Sequence, residues 1–129
     1  MNRARDWFEQ GRYDLQHARN SVAAGDFSWA CYAAQQAAEK AVKAVYLTRN
    51  LEGWGHVVRT LLEGLTDELP VPESLIEAAR RLDLFYIPTR YPNGFPQGKP
   101  ADYFGASDAE RAIADAGQIL AFCESQLRP

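Results

Sequence analysis

The sequence contains few of the side chains that build metal or disulfide sites. Of its 129 residues, two are cysteines and two are histidines, and the cysteines are far apart in the chain. Without paired thiols or clustered carboxylates, the sequence has no pattern typical of a metal site. It also has no glycine-rich loop of the kind that holds phosphates. We therefore expect neither a bound metal nor a cofactor.

Long apolar runs and a large excess of one charge are also absent. No apolar stretch approaches the roughly 20 residues of a transmembrane helix, and no signal-peptide core follows the first residues. The formal net charge of −3 disfavours a protein that coats nucleic acid through bulk electrostatics, but it allows a local basic pocket. We expect a cytoplasmic protein with no membrane partner. In that compartment reduced Cys31 and Cys123 are favoured over a disulfide between them.

Helical periodicity is abundant, and the length fits a single domain over residues 1–129. Apolar residues recur at spacings of three and four in five segments, and no strand-like alternation competes with them. The pattern predicts an all-α bundle of four to five helices. The predicted helices run from about Arg3 to Ala24, from Asp26 or Ser28 to about Asn50, from Val57 to Leu65, from Pro72 to about Ile87, and from Ser107 to Leu127.

Several residues predict where these helices begin and end. Gly25 suits the left-handed position that closes the first helix. Ser107 and Glu110 form the pattern of a capping box that opens the last helix. Pro88 ends the fourth helix, because a residue before proline avoids the helical region. The alanine-rich run 33–41 favours close packing and predicts that the second helix is central.

A proline-rich loop, residues 88–104, precedes the last predicted helix. Its four prolines exclude a regular helix, and loops of this length are often functional or mobile. Arg90 lies in this loop and can clamp a phosphate through its planar guanidinium. The alternative is an ion pair with Asp83 or Glu39 that pins the loop.

Aromatic and turn residues flank Arg90. Tyr86 and Tyr91 can stack on a nucleobase, and the alternative is packing in the core or in a dimer interface. Asn93 and Gly94 form a turn pattern. The backbone amides of that turn can also hold an anion, which makes Asn93 a further candidate for the binding site.

Three basic residues elsewhere complete the candidate site. Lys40 and Lys43 are neighbours on the second predicted helix and can supply positive charge to a cleft. The alternative is that they belong to a solvated helix face. His56 stands at the start of the third predicted helix, where it can contact a ligand or serve a structural role.

The order of these segments resembles the prokaryotic HEPN family (higher eukaryote and prokaryote nucleotide-binding domains). Its specific parts are the Gln-Gln-Ala-Ala-Glu-Lys-Ala run at 35–41 and the Tyr-Ile-Pro-Thr-Arg-Tyr-Pro run at 86–92. The resemblance implies an antiparallel HEPN-type bundle that pairs as a homodimer, with a cleft for a nucleotide or RNA. It also implies a small nucleotidyltransferase protein as partner, and some such pairs act as toxin and antitoxin.

HEPN ribonucleases resemble one another in an Arg-x(4-6)-His motif. Arg90 best matches that arginine, but residues 95–97 at the required spacing are Phe, Pro and Gln. The stretches 12–17 and 49–56 also match as text, at a rate that chance explains. Histidine suits proton transfer because its ordinary pKa lies near neutrality. Its absence predicts a module that binds without cleaving and has no catalytic residue.

Two alternatives to the binding module remain open. One is an RNA-cleaving toxin that uses a different base, for which His56 is the best candidate. That alternative requires His56 and Arg90 to converge on one phosphate. The other is a purely structural interaction protein whose cleft is vestigial, which an exposed apolar patch without a pocket near Arg90 would favour.

Overall fold

The structure is a computed structural model that describes residues 3–127, and this range contains five α-helices and no strand. The predicted all-helical class is therefore confirmed. None of the described helices is both long and apolar enough to cross a membrane. The helices are α1 (Ala4–Ala23), α2 (Phe27–Thr48), α3 (Val58–Glu63), α4 (Glu73–Asp83) and α5 (Ala106–Gln126), and single 3-10 turns lie at Pro92–Gly94 and Pro100–Asp102.

Helix α2 is the centre of the bundle, as its alanine content predicts, and it packs against all four other helices. Most of its alanines are completely buried. Small side chains let the α1 backbone approach closely at Gly11. A Cβ atom at Gly11 would lie only 2.9 Å from the carbonyl oxygen of Ala37. The first two helices therefore pack almost backbone to backbone.

Polar side chains connect the remaining helices. The Arg81 guanidinium in α4 donates two hydrogen bonds of 2.9 Å to the buried Asp115 carboxylate in α5. The Tyr46 hydroxyl in α2 donates to the Leu61 carbonyl of α3 at 2.6 Å. Bonds of this kind orient helices more precisely than apolar packing does, because they are directional.

Both cysteines are buried and free. Burial raises the pKa of the Cys31 thiol to about 12, with a further contribution from the Asp108 charge. Burial also raises the pKa of Cys123. These thiols therefore belong to the core, and neither has the character of a nucleophile.

The end of α1 matches its prediction. Gly25 adopts a φ of +80°, which residues with a side chain rarely adopt. Its N–H donates to the Val22 carbonyl at 3.0 Å, and the Asp26 N–H donates to the Ser21 carbonyl at 2.8 Å. This pair of bonds is the Schellman arrangement that closes a helix.

The prediction that the fourth helix reaches Ile87 is wrong, because α4 ends at Asp83. The N–H of Leu84 donates to the Arg81 carbonyl and that of Phe85 to the Leu82 carbonyl, which tightens the last turn. Pro88 sets only the latest residue at which the helix could end.

The predicted capping box at Ser107 is also wrong. Helix α5 begins at Ala106, and the Gly105 N–H donates to the Asp108 carboxylate at 2.9 Å. Asp108 stands three residues after Gly105, which is the spacing that this bond requires. The predicted start of the third helix, Val57, differs from the observed start by one residue, since α3 begins at Val58.

Candidate functional site

The Arg90 guanidinium lies among three tyrosine rings. Its carbon Cζ is 4.3 Å from the ring centroid of Tyr32, 4.7 Å from that of Tyr86 and 5.2 Å from that of Tyr91. Its Nε donates to the backbone carbonyl of Tyr86 at 2.8 Å. Cation–π contacts and one backbone hydrogen bond thus hold the guanidinium in place.

No carboxylate in residues 3–127 forms an ion pair with Arg90, so the alternative of a structural ion pair with Asp83 or Glu39 is wrong. The Asp83 carboxylate instead accepts hydrogen bonds from the N–H groups of Val58 and Arg59 at 2.7 and 3.1 Å. It fixes the start of α3. The charge of Arg90 is therefore not neutralised by a carboxylate and is available to an anion.

His56 reaches the same aromatic group from the segment before α3. Its imidazole stacks on the Tyr86 ring with a centroid distance of 4.6 Å and an angle of 17° between the planes. Its side chain is 54% exposed. Because Arg90 contacts the same ring, the structure brings His56, Tyr86, Arg90 and Tyr91 together. These four residues and Tyr32 are called the Arg90 cluster below.

A buried carboxylate supports His56 from beneath. Both carboxylate oxygens of Glu39 lie 3.1 Å from Nδ1 of His56. The Lys43 ammonium binds the same carboxylate at 3.1 Å. Gln35, which is completely buried, donates to Glu39 at 3.3 Å and to the His56 backbone carbonyl at 3.1 Å. This network fixes one imidazole nitrogen, and no group in the described range is hydrogen-bonded to Nε2.

Lys40 lies on the other side of the cluster. Its ammonium binds the Asp14 carboxylate at 2.6 Å and the Gln36 side-chain oxygen at 3.2 Å. It lines a groove of about 260 Å³ between α1 and α2, together with Tyr32. Like Lys43, Lys40 is paired with a carboxylate, so the two lysines add less positive charge to the site than their sequence spacing suggests.

Asn93 is not part of the cluster. It lies exposed in the 3-10 turn Pro92–Gly94, and no hydrogen bond in the described range joins its side chain to Arg90 or His56. Its expected role as an anion-binding turn therefore has no support from neighbouring basic groups.

Tyr32 is a member of the cluster that the sequence prediction missed. Burial raises its pKa, and the Arg90 guanidinium partly offsets this shift, so the phenol is neutral at physiological pH. Gln35, Gln36 and Glu39 were also not proposed as site residues. The sequence does contain a pattern that indicates them. Together with Tyr32 and Lys43 they recur at spacings of three and four, which places a polar stripe on one face of an otherwise alanine-rich helix.

The arrangement suits the binding of an anion next to an aromatic ring. The guanidinium supplies charge and directed N–H donors, and the exposed ring of Tyr91 supplies a stacking surface. Within residues 3–127 no three His, Cys, Asp or Glu side chains form a group that could hold a metal ion. A larger groove of about 600 Å³ between α1 and α5 contains none of the cluster residues.

A family model described as the HEPN domain matches residues 4–126 of the chain. A protein of Methanocaldococcus jannaschii named "Putative toxin" is 25% identical over 126 residues, which cover 91% of this chain and 83% of that protein.

Solved structures resemble the chain along almost its whole length. A protein from Thermus thermophilus is 51% identical with a TM-score of 0.96, and the match covers 98% of this chain and all of the other. A structure described as an archaeal HEPN homologue is 34% identical with a TM-score of 0.84, covering 99% and 100%. A HEPN domain protein from Thermotoga maritima is also 34% identical, with a TM-score of 0.78, covering 95% and 97%.

Proposed function

Because the chain belongs to the HEPN domain family, we propose that it binds a nucleotide or single-stranded RNA at the Arg90 cluster without cleaving it. The observation that carries this proposal is the environment of the Arg90 guanidinium. Its guanidinium is fixed by three tyrosine rings and one backbone carbonyl, yet it has no carboxylate partner in the described chain.

The chemistry of the cluster fits a phosphate and a base side by side. A guanidinium presents paired N–H donors that match phosphate oxygens. Tyr91 is 49% exposed and lies next to Arg90, so a base can stack on it while its phosphate contacts the guanidinium. Lys40, Lys43 and His56 form the rim of this ligand site.

A second observation supports binding without cleavage. Phe95, together with Pro96 and Gln97, occupies the positions where the family's ribonuclease motif has a histidine. The Phe95 ring stacks on Tyr103 with a centroid distance of 4.0 Å and also contacts Phe104. It serves as a packing residue of the loop, and a phenyl ring cannot transfer a proton.

The second candidate function is RNA cleavage with His56 as the base. It is favoured by the convergence of His56 and Arg90 on the Tyr86 ring. Glu39 would orient the imidazole through Nδ1, which leaves Nε2 to act on a 2′-hydroxyl. The name of the Methanocaldococcus relative points the same way.

The proposal includes the partners expected from the family. We propose that the chain acts as a homodimer in the cytoplasm, together with a small nucleotidyltransferase protein. This part rests on family membership alone. Co-purification with a candidate nucleotidyltransferase and the measured mass of the chain in solution would test it.

The deciding experiment compares Arg90→Ala with Arg80→Ala, which removes an exposed arginine of α4. We would follow thermal stability with a panel of nucleotides and short RNAs, since a ligand that binds only the folded state raises the melting temperature. Wild type and Arg80→Ala should be stabilised, and Arg90→Ala should not. Equal stabilisation of all three proteins would reject the site.

The same RNA samples, run on a gel afterwards, separate the two candidate functions. Intact RNA supports the binding module. Loss of RNA in wild type that disappears in His56→Ala would make the protein a ribonuclease and overturn the non-catalytic proposal.

A further inference from the structure

A second groove, of about 430 Å³, opens beside the Arg90 cluster. Its volume falls in the range of roughly 300–1,000 Å³ that is typical of small-molecule sites. Trp7 and Trp54 line it together with His56, Lys43 and Glu52. The groove is therefore bordered by two indole rings and by a residue that also belongs to the cluster. We call it the tryptophan groove.

The tryptophans of this groove are unusually exposed. Trp54 is 80% exposed and Trp7 is 40% exposed, although large aromatic side chains are mostly buried in folded proteins. Trp54 stands between two glycines, and Gly55 adopts a φ of +87°. The turn thus holds an indole at the surface, which favours a contact with a ligand over a role in the core.

The groove is continuous with the proposed nucleotide site. His56 lines the groove, and its ring stacks on Tyr86, which contacts Arg90. A nucleotide whose phosphate lies on Arg90 therefore places its neighbour in the strand near the groove.

The charges of the groove favour a base over a second phosphate. Among the described residues that line it, only Lys43 carries an ammonium, which is paired with the Glu39 carboxylate at 3.1 Å. Glu52 adds a negative charge to the lining. A neutral, planar base gains stacking energy against indole rings, whereas a phosphate would meet little uncompensated positive charge.

We propose that the tryptophan groove stacks the base of a second nucleotide. The ligand of the Arg90 cluster is then a single-stranded segment of at least two nucleotides, and the protein discriminates against mononucleotides. This inference rests on the proposed function and deepens it. Stacking accepts every base, so the groove selects for strand length more than for sequence.

The test uses the intrinsic fluorescence of the groove. Trp29→Phe removes the one tryptophan outside it, so that the remaining emission reports Trp7 and Trp54. The probes are AMP and a 5′-phosphorylated adenylate dinucleotide. In this background we would compare Trp54→Ala with Tyr13→Ala, which removes an exposed aromatic residue from α1 outside the groove.

The dinucleotide should quench the emission and bind more tightly than AMP. Trp54→Ala should weaken dinucleotide binding about tenfold, because a base stacked on an aromatic ring contributes directly to affinity. AMP binding should not change, and Tyr13→Ala should behave like its parent. Because Trp54 is so exposed, its replacement should leave the fold intact.

The other outcomes are distinguishable. If Arg90-dependent binding persists but the dinucleotide gains nothing over AMP, or Trp54→Ala binds it normally, the groove assignment is wrong and the proposed function stands. If neither probe binds wild type, the proposed function fails as well. Emission that changes with protein concentration in the absence of RNA would assign the groove to a second copy of the chain and overturn the inference.

Discussion

Nδ1 of His56 lies 3.1 Å from both carboxylate oxygens of Glu39, and the Lys43 ammonium lies 3.1 Å from one of them. The Glu39 side chain is only 6% exposed and that of Lys43 is 14% exposed. A buried carboxylate with these partners positions the imidazole. It also requires its partners for stability, because an unpaired buried charge is costly.

Glu39→Ala should therefore lower the free energy of unfolding by about 3 kcal/mol, since it leaves the Lys43 ammonium buried without its partner. The double replacement Glu39→Met/Lys43→Met should recover most of that loss. Denaturant unfolding followed by circular dichroism would measure both effects. Glu63→Ala breaks only an exposed pair with Arg59 at 3.9 Å and should change stability by less than about 0.5 kcal/mol. Similar small losses in Glu39→Ala and Glu63→Ala would contradict the prediction.

Gly11→Ala tests the close approach of α1 and α2. The added methyl group would lie 2.9 Å from the Ala37 carbonyl oxygen and 3.4 Å from the Ala41 nitrogen. The expected loss from overpacking is about 1–3 kcal/mol, which exceeds the gain in helix propensity of about 1 kcal/mol. Gly117→Ala in α5 is the matched control, because nothing lies within 4 Å of its added Cβ atom. That variant should be as stable as wild type or more stable, and the same result for Gly11→Ala would refute the close packing.

The contrast between these two glycines indicates what a sequence can and cannot predict. The alanine-rich run is a local pattern, and it correctly predicted a central second helix with closely packed neighbours. The position of Gly25 predicted a left-handed helix end for the same reason. Each of these features depends on only a few adjacent residues and on backbone sterics.

The candidate site was predicted only in part, because its members meet through tertiary packing. Arg90, Tyr86 and Tyr91 are close in the chain and were found together. Tyr32 and Glu39 lie beside these residues only because α2 passes beneath the segment before Pro88. No spacing in the chain specifies which face of α2 will contact that segment. The end of α4 was misplaced for a related reason, since Pro88 limits a helix without fixing where it ends.

Asp83 should give the stability of the protein a distinctive pH dependence. Burial raises its pKa above the ordinary value of 3.8, although hydrogen bonds from the N–H groups of Arg59 and Val58 oppose the shift. The folded protein therefore binds this proton more tightly than the unfolded chain. It follows that the contribution of Asp83 to the free energy of unfolding rises as the pH falls from neutral towards 3.8. The asparagine of the Asp83→Asn variant does not titrate, so the stability of wild type relative to the variant should increase on acidification.

Asp102→Asn is a control for which we expect the opposite pH dependence of stability. The Lys99 side chain and its backbone N–H lower the pKa of Asp102, so its contribution to stability is lost as the pH falls through the folded pKa. Unfolding curves recorded at several pH values would give both trends. If the two variants follow the same trend relative to wild type, the raised pKa of the partly buried Asp83 carboxyl is wrong.

Tyr86 connects His56 to Arg90 within the Arg90 cluster. Its ring contacts the imidazole of His56 at 4.6 Å and the Arg90 guanidinium at 4.7 Å. These contacts use the ring face and not the hydroxyl. Tyr86→Phe should therefore bind AMP and short RNA within about twofold of wild type. Tyr86→Ala should bind about tenfold more weakly, which corresponds to about 1.4 kcal/mol and lies within the range of partly desolvated cation–π contacts. Isothermal calorimetry on the two variants would measure this difference.

Tyr103→Ala is the comparison that separates this effect from the general loss of an aromatic ring, since Tyr103 stacks on Phe95 outside the cluster. It should retain the affinity of wild type. Equal weakening in Tyr86→Phe and Tyr86→Ala would show that the phenol itself binds the ligand, and the cluster would then act through a hydroxyl hydrogen bond. Without the Tyr86 ring, the Arg90 guanidinium should lose its fixed position. Wild-type affinity in Tyr86→Ala would therefore contradict the prediction, because it would mean that neither His56 nor Arg90 needs the ring to bind the ligand.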